Sequence, residues 1–300
     1  MNYVLVTPLK NEENYVLKLK ETVFNQTLRP ICWVIVDSGS EDNTFNLSKE
    51  IAHDNEWVHI VKQKKFFEKG YGHINIAEAI NEGYNFAKGL HELKKVDYNY
   101  IGITDATPIL CKNYFEVLLR EMEKNEKLAI TCGIQKLNYN NKNIDLKELK
   151  NISGTGFNNI RLYKKEFFSK IGAYPLTPSS DSVLLLKAIN RQWETKIINE
   201  VYFIKPRIGG SKIGLWKGSK LKGKSMYILG YHPLLALGNS IVNSVKIPPH
   251  YQFLPMLWGY FLSLLKREEK VVDDEIREYY GKKRLREIIN NVTGGKIGQN

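Results

Sequence analysis

The sequence predicts an α/β protein: a mostly parallel central sheet flanked by helices, with a C-terminal helical appendage. Three observations predict it. Apolar runs of strand length alternate with helix-length amphipathic segments through about the first two hundred residues, the pattern of strand–crossover–strand units. Several of those runs end in polar turns, at Pro8, Asp37 and Asp105. From residue 207 the composition changes to a glycine and lysine run and then to apolar and amphipathic pieces.

The elements follow in order. "YVLVTP" (3–8) reads as a first strand, and Asn11 stands as a cap before a helix over about 12–26. "CWVIVD" (32–37) is a second strand, after which Ser40 and Asn43 flank a helix over about 42–54. "WVHIV" (57–61), a helix over about 74–90, "YNYIGITD" (98–105), a helix near 113–125 and the strand "LAITCGI" (128–134) continue the alternation. The Asn- and Lys-rich "NYNNKNIDLKELKN" (138–151) reads as a surface loop. A second cluster of elements runs to residue 207, and "RIGGSKIGLWKGSKLKGK" (207–224) reads as a loop holding one large aromatic, Trp216. The domain boundary is therefore expected there, with domains 1–207 and 208–300. In the tail, "MYILGYHPLLALGNSIV" and "YQFLPMLWGYFLSLL" are each shorter than the roughly 20 residues that cross a bilayer, and "VVDDEIREYYGKKRLREIINNV" has the spacing of one or two amphipathic helices.

Composition bounds the function. Hydrophobic residues at 43% and charged residues at 25% sit near globular averages. A net charge of +12 attracts phosphates, anionic headgroups and nucleic acid alike. Nucleic acid ranks last, because the lysines are spread along the chain and no stacking module accompanies them. Three cysteines, Cys32, Cys111 and Cys132, are odd in number and far apart, as expected of reduced core thiols in a cytoplasmic protein. The opening "MNYVLVTPLKNEE" has no basic leader, so no secretion signal is expected. The six histidines share no metal or catalytic spacing.

Right-handed crossovers bring the ends of parallel strands to one edge of the sheet, where open α/β sheets bind ligands. Asp37 at such an end is either a turn cap or a ligand acceptor. Fixed acceptors suit a base and a ribose, whereas a diphosphate needs cations. Asp105 is placed to hold a divalent metal, Mg2+ or Mn2+, that in turn holds a diphosphate.

The motifs "VTPLKNEE", "VFNQTLRP", "VIVDSGSEDNT", "AEAINEGY", "ITDAT" and "GTGFNNIRLYKKEFFSKIGAYP", followed by Asp181, resemble in that order the family 2 glycosyltransferases of GT-A fold over about residues 2–207. Those are inverting enzymes that move a sugar from a nucleotide diphosphate to an acceptor. The resemblance implies that Pro8, Asn11 and Glu12 lie beside the nucleotide and that Asp37 holds the base, with Ser38 where a second aspartate is common. It implies that Asn81 lines the donor pocket, and that Asp105 and Thr107 form the metal site, Thr107 replacing a carboxylate. Asp181 matches the general base, with a helix N-cap as its structural alternative. Ser180 replaces an acidic neighbour. Lys205 and Arg207 match cations near the donor, Arg207 the better phosphate partner, with ordinary surface charge as the alternative. Gly154 and Gly156 would let backbone approach the acceptor, and the Trp216 loop would close over the donor.

The tail resembles those of members that build surface polysaccharides and glycolipids, so the expected acceptor is a glycan or a lipid-linked sugar. Trp258, Tyr260 and Phe261, followed by Lys266 and Arg267, suit the cytoplasmic face of a membrane. A helical subdomain or a homodimer interface suits them equally. The alternative function is a catalytically impaired nucleotide-sugar-binding protein of the same fold, for which Thr107 and Ser180 speak.

Overall fold

In a computed structural model, described over residues 1–67, 72–137, 150–151, 160–172, 174–205, 214–246, 250–271 and 273–292, β1 (Tyr3–Leu9) lies parallel between β2 (Cys32–Asp37) and β4 (Tyr100–Ile103). β3 (Val58–Lys62) continues the parallel set beyond β2. On the other side β4 pairs antiparallel with β8 (Arg161–Lys164), which pairs antiparallel with β6 (Leu128–Leu137). β6 therefore runs in the direction of β1, and so does β9 (Glu194–Lys205), its parallel partner. The two-residue β5 (Ile109–Leu110) pairs antiparallel with β9, and β7 (Lys150–Asn151) with β6. The sheet order is β3-β2-β1-β4-β8-β6-β9-β5.

Both faces are covered, which is why β2 is buried at all six positions. Alternate residues face opposite sides. Tyr3, Leu5, Trp33 and Ile35 join Val16, Leu19 and Val23 of α1 (Glu13–Phe24) and Phe115, Leu118 and Leu119 of α4 (Tyr114–Lys124). Val4, Val6, Val34 and Val36 join Ala77, Ile80 and Tyr84 of α3 (Gly72–Glu92), Phe167 and Phe168 of α5 (Lys165–Lys170), and Leu184 of α6 (Ser180–Asn190). A Cβ on Gly83 would lie 2.5 Å from Val6 Cγ1 and 2.9 Å from Val36 Cγ2, so glycine lets α3 settle on the sheet. Cys32 and Cys132 are buried and none of the three cysteines is in a disulfide; burial pushes the Cys32 thiol up to about 12.

Some expectations fail at the helix ends. The residues at the N-cap positions of α1 and α2 (Thr44–His53), Glu12 and Asn43, make no side-chain cap bond, and Asp42 accepts instead from the first N–H of each helix, Glu13 N (3.3 Å) and Thr44 N (3.0 Å). Asn11 and Ser40 instead bond across the two loops, and Asn43 Oδ1 accepts from Asn46 Nδ2 of α2. Of the expected loop 138–151, Lys150 and Asn151 form β7, and the rest lies outside the described residues.

The chain divides into two compact units, Met1–Leu176 with Ser180–Arg207, and Thr177–Ser179 with Ile208–Asn300. In the second, α7 (Leu215–Ile228), α8 (Pro233–Lys246) and α9 (Phe253–Leu265) are followed by α10 (Asp274–Glu278), a π-helical turn over Tyr279–Lys283, and α11 (Arg284–Val292). The glycine and lysine run expected as a donor-covering loop is thus helical from Leu215 onward. Its glycine serves packing: a Cβ on Gly223 would stand 1.8 Å from Met256 O, and one on Gly259 would stand 2.0 Å from Lys220 O, so α7 and α9 touch backbone to backbone. Trp216 packs near Tyr251, with ring centroids 6.1 Å apart.

Met226, Tyr227, Ala236, Met256 and Tyr260 form the small core of this unit. Leu234, Leu237, Ile241 and Val245 make an exposed stripe on α8, and Leu254, Trp258, Phe261 and Leu265 make another on α9. Among the described residues no helix is long and apolar enough to cross a membrane.

Candidate active site

Strand directions decide what meets at the sheet edge. β1, β2 and β4 are parallel, so Leu9, Asp37 and the residues after Ile103 emerge together; Leu9 is the register partner of Asp37. β8 runs the other way, so its first residue, Arg161, partner of Ile103, stands at the same edge. β9 ends there too, at Lys205.

The loops after β1 and β2 are laced together. Ser38 N donates to Leu9 O (2.8 Å), Asn11 N to Ser40 Oγ (3.0 Å), Glu41 N to Asn11 Oδ1 (2.8 Å) and Glu12 N to Thr44 Oγ1 (2.7 Å). Asn11 sits at φ 52°, a left-handed conformation that asparagine tolerates. Pro8 is half-buried in β1, and the Glu12 and Ser38 side chains are buried. Asp37, 4% exposed, accepts at Oδ2 from Gly39 N (3.2 Å) and Ser40 N (3.3 Å). Its Oδ1 is buried and has no hydrogen-bond partner. Turn capping thus accounts for one oxygen of Asp37, and the other is an unanswered acceptor. Phe66, an exposed ring, lies over the adjacent turn, 3.5 Å from where a Cβ on Gly39 would be.

Beyond β4, Thr104 N donates to Val6 O (3.2 Å), which places Asp105 next to β1. Asp105 Oδ2 pairs with Lys205 Nζ at 3.1 Å, the lysine side chain being 13% exposed and the carboxylate 34%. Thr107 is buried close by in sequence. Among the described residues there is no group of three or more His, Cys, Asp or Glu side chains placed to hold a metal.

Asp181 is the second residue of α6, within its first turn. Its carboxylate does not cap the helix: Oδ1 accepts the Tyr174 hydroxyl, and Arg161 Nη1 lies 3.7 Å from the same oxygen while donating to Asp181 O at 2.9 Å. Arg161 is 1% exposed. Burial, then the charge of Asp181, pushes the Tyr174 phenol well above its ordinary value, so it stays a donor. Asn81 is bound to this network. Its Nδ2 donates to Tyr174 O (2.9 Å) and its Oδ1 accepts from Tyr174 N (2.8 Å), so its amide clamps the backbone that carries the phenol.

Strand direction and hydrogen bonds therefore bring Pro8, Asn11, Glu12, Asp37, Ser38, Asp105 and Asp181 to one edge; Thr107 follows Asp105 by two residues, and Asn81 clamps the Tyr174 backbone. Arg207, Gly154 and Gly156 lie outside the described residues. Sequence reasoning missed Tyr174, Arg161 and Phe66. Tyr174 stands inside "IGAYP" and Arg161 opens "RLYK", but a tyrosine among apolar residues and a basic residue at the start of a strand have no local mark of function.

The acceptors and the paired carboxylate lie at the carboxyl edge of an open sheet, where α/β folds bind ligands. The model of the family described as "Glycosyl transferase family 2" matches residues 4–189, and the chain belongs to that family. It is 27% identical over 122 residues to the glycosyltransferase GlyG of Streptococcus pneumoniae serotype 4, covering 41% of this chain and 35% of that protein. It is 29% identical over 122 residues to the chondroitin synthase of Pasteurella multocida, covering 41% of this chain and 11% of that protein. The chain thus matches only about a third or less of these relatives' length. In fold it is similar to the mannosyltransferase PcManGT of Pyrobaculum calidifontis in complex with GDP-Man and Mn2+, with TM-score 0.54 and 12% identity over 98% of this chain and 88% of that one. It is also similar to S. aureus TarS 1–349 in complex with UDP-GlcNAc, with TM-score 0.52 and 14% identity over 99% of this chain and 91% of that one. These neighbours define the fold as GT-A.

Proposed function

We propose that the chain is an inverting glycosyltransferase that moves a sugar from a nucleotide-diphosphate-sugar to a glycan or lipid-linked acceptor. The observation that carries the donor half is the buried, unpartnered Oδ1 of Asp37 at the carboxyl edge of the sheet. An N–H of a nucleobase is the ligand group such an oxygen accepts, and Phe66 offers a face on which the base stacks. The GDP-Man and UDP-GlcNAc held by the structural neighbours support the same class of ligand.

Asp181 is the general base. Oδ1 is held by Tyr174 and Arg161, which leaves Oδ2 to take the proton. As the acceptor oxygen attacks the anomeric carbon its proton passes to Oδ2, the new glycosidic bond forms on one face, and the bond to the diphosphate breaks on the other. The nucleoside diphosphate leaves with the bonding electron pair.

The diphosphate lies against Asp105 and Thr107, where Mg2+ or Mn2+ is the expected partner. When bound, such a metal neutralises the leaving group's charge. The donor set fits it poorly: one oxygen of Asp105 is already paired with an ammonium, and Thr107 supplies a hydroxyl in place of a carboxylate. No step is assigned to it.

The reading is tested by thermal stabilisation with a panel of nucleotide sugars, with and without Mn2+, followed by turnover. The matching sugar at a hundredfold excess over its dissociation constant stabilises by about 2.7 kcal/mol. Asp181→Asn is expected to lower transfer by about two to four orders of magnitude while keeping that stabilisation. Full transfer by this variant removes Asp181 from its role, and binding without turnover in the unmodified chain leaves a nucleotide-sugar-binding protein.

The acceptor is reached at the cytoplasmic face of a membrane. The exposed stripes on α8 and α9 support this, because α9 holds no charged residue and Lys266 and Arg267 follow it directly. Sedimentation with vesicles containing anionic lipid is expected to retain the protein, and Trp258→Glu to release it. A concentration-dependent dimer without vesicle binding assigns the stripes to a self-interface instead.

A further inference from the structure

We propose that Lys205 serves as the resident cation at the diphosphate, so that nucleotide binding by this chain does not require a divalent metal; this rests on the nucleotide-sugar reading of the same site. The Lys205 side chain is 13% exposed, and among the described residues Asp105 Oδ2 is its one hydrogen-bond partner. An ammonium has three N–H donors, so two remain for other acceptors. Oxygens of a diphosphate are acceptors that also match its charge.

Topology puts Lys205 where it is needed. β9 runs with β6 and so with β1 and β4, and its last residue reaches the edge at which Asp105 follows β4. The pairing of Ile204 with Ile109 and of Phe203 with Leu110 holds this strand end against the segment that follows Asp105.

The pair also acts against a metal. A divalent ion on the Asp105 carboxylate would share it with an ammonium already 3.1 Å from Oδ2, and like charges that close repel. Thr107 cannot make up the deficit, because a neutral hydroxyl is a weak ligand for a hard cation. The lysine and the metal are therefore competing solutions to one charge problem, and this sequence has taken the first.

The test is titration calorimetry of the full chain with UDP, GDP, CDP, dTDP and ADP, in EDTA and in saturating Mn2+, alongside electron paramagnetic resonance of added Mn2+. The unmodified protein is expected to bind its preferred diphosphate within about threefold of the same affinity in both buffers and to leave the Mn2+ signal unchanged. Lys205→Ala is expected to lose about tenfold or more in EDTA, to regain most of it in Mn2+, and to bind Mn2+ by resonance, since the freed carboxylate becomes available. Lys205→Arg is expected to bind as the unmodified protein does in EDTA. Nucleotide binding by the unmodified chain that appears only with Mn2+ overturns the proposal and leaves the donor reading standing; this arm needs no variant to fold. Absence of binding for every diphosphate in both buffers refutes the donor reading and the Lys205 proposal with it.

Discussion

Asp37→Asn separates a turn cap from a base receptor, because the two roles predict opposite signs. In the folded chain Oδ2 receives Gly39 N and Ser40 N, and Oδ1 is buried with no partner. Asparagine keeps one oxygen for the turn and places an amide NH2 where Oδ1 was. For stability, a buried carboxylate oxygen without a partner costs about 1–3 kcal/mol, and a neutral amide costs less. The variant is therefore expected to melt at the same temperature or a few degrees higher, at about 2–4 °C per kcal/mol for a domain of this size. For binding, a charge-assisted hydrogen bond from a base N–H, worth about 1.5–3 kcal/mol, is replaced by two donors facing each other. Nucleoside diphosphate affinity is expected to fall by about 10- to 150-fold. Differential scanning fluorimetry of the apoprotein and calorimetry of nucleotide binding measure the two. Unchanged affinity together with a lower melting temperature would show that Asp37 only shapes the turn, and the donor site would have to be sought elsewhere.

Two further perturbations test the frame around it. Tyr174→Phe removes the phenol from Asp181 Oδ1, a hydrogen bond worth about 1 kcal/mol or more. The rate constant kcat is expected to fall by about fivefold or more while donor affinity holds, and an unchanged kcat would make Tyr174 a bystander. Gly223→Ala adds a carbon 1.8 Å from Met256 O. Overpacking of this kind costs about 3 kcal/mol or more, so urea denaturation should show the second unit unfolding earlier, and equal stability would mean that α7 and α9 do not cross so closely.

Much of the first unit was legible because its signals are local. The strand "CWVIVD" is β2 residue for residue, and the helices around 12–26 and 113–125 are found within two residues at each end. The sharpest misreading, the glycine and lysine run, was also local in origin. Its glycines made it read as a loop, but Gly223 meets the α9 backbone, a contact invisible in a window of neighbours that makes a bare helix surface the useful property. Asn11 and Ser40 read as caps for a similar reason: spacing identifies a polar residue before a helix, but not whether a nearby loop offers it another partner.

By itself the sequence determined the order of strands and helices and the polar residues at the strand ends, since hydrophobic periodicity and turn chemistry act over a few residues. Only the tertiary structure decided how those side chains are used. Inserting antiparallel β8 between β4 and β6 sets Arg161 at the edge where Asp181 arrives. Lys205 meets Asp105 across 100 positions, and Asn81 meets Tyr174 across 93. Such pairings follow from strand direction and register summed over the whole sheet. No spacing within a segment encodes them, and the chemistry of the site depends on them.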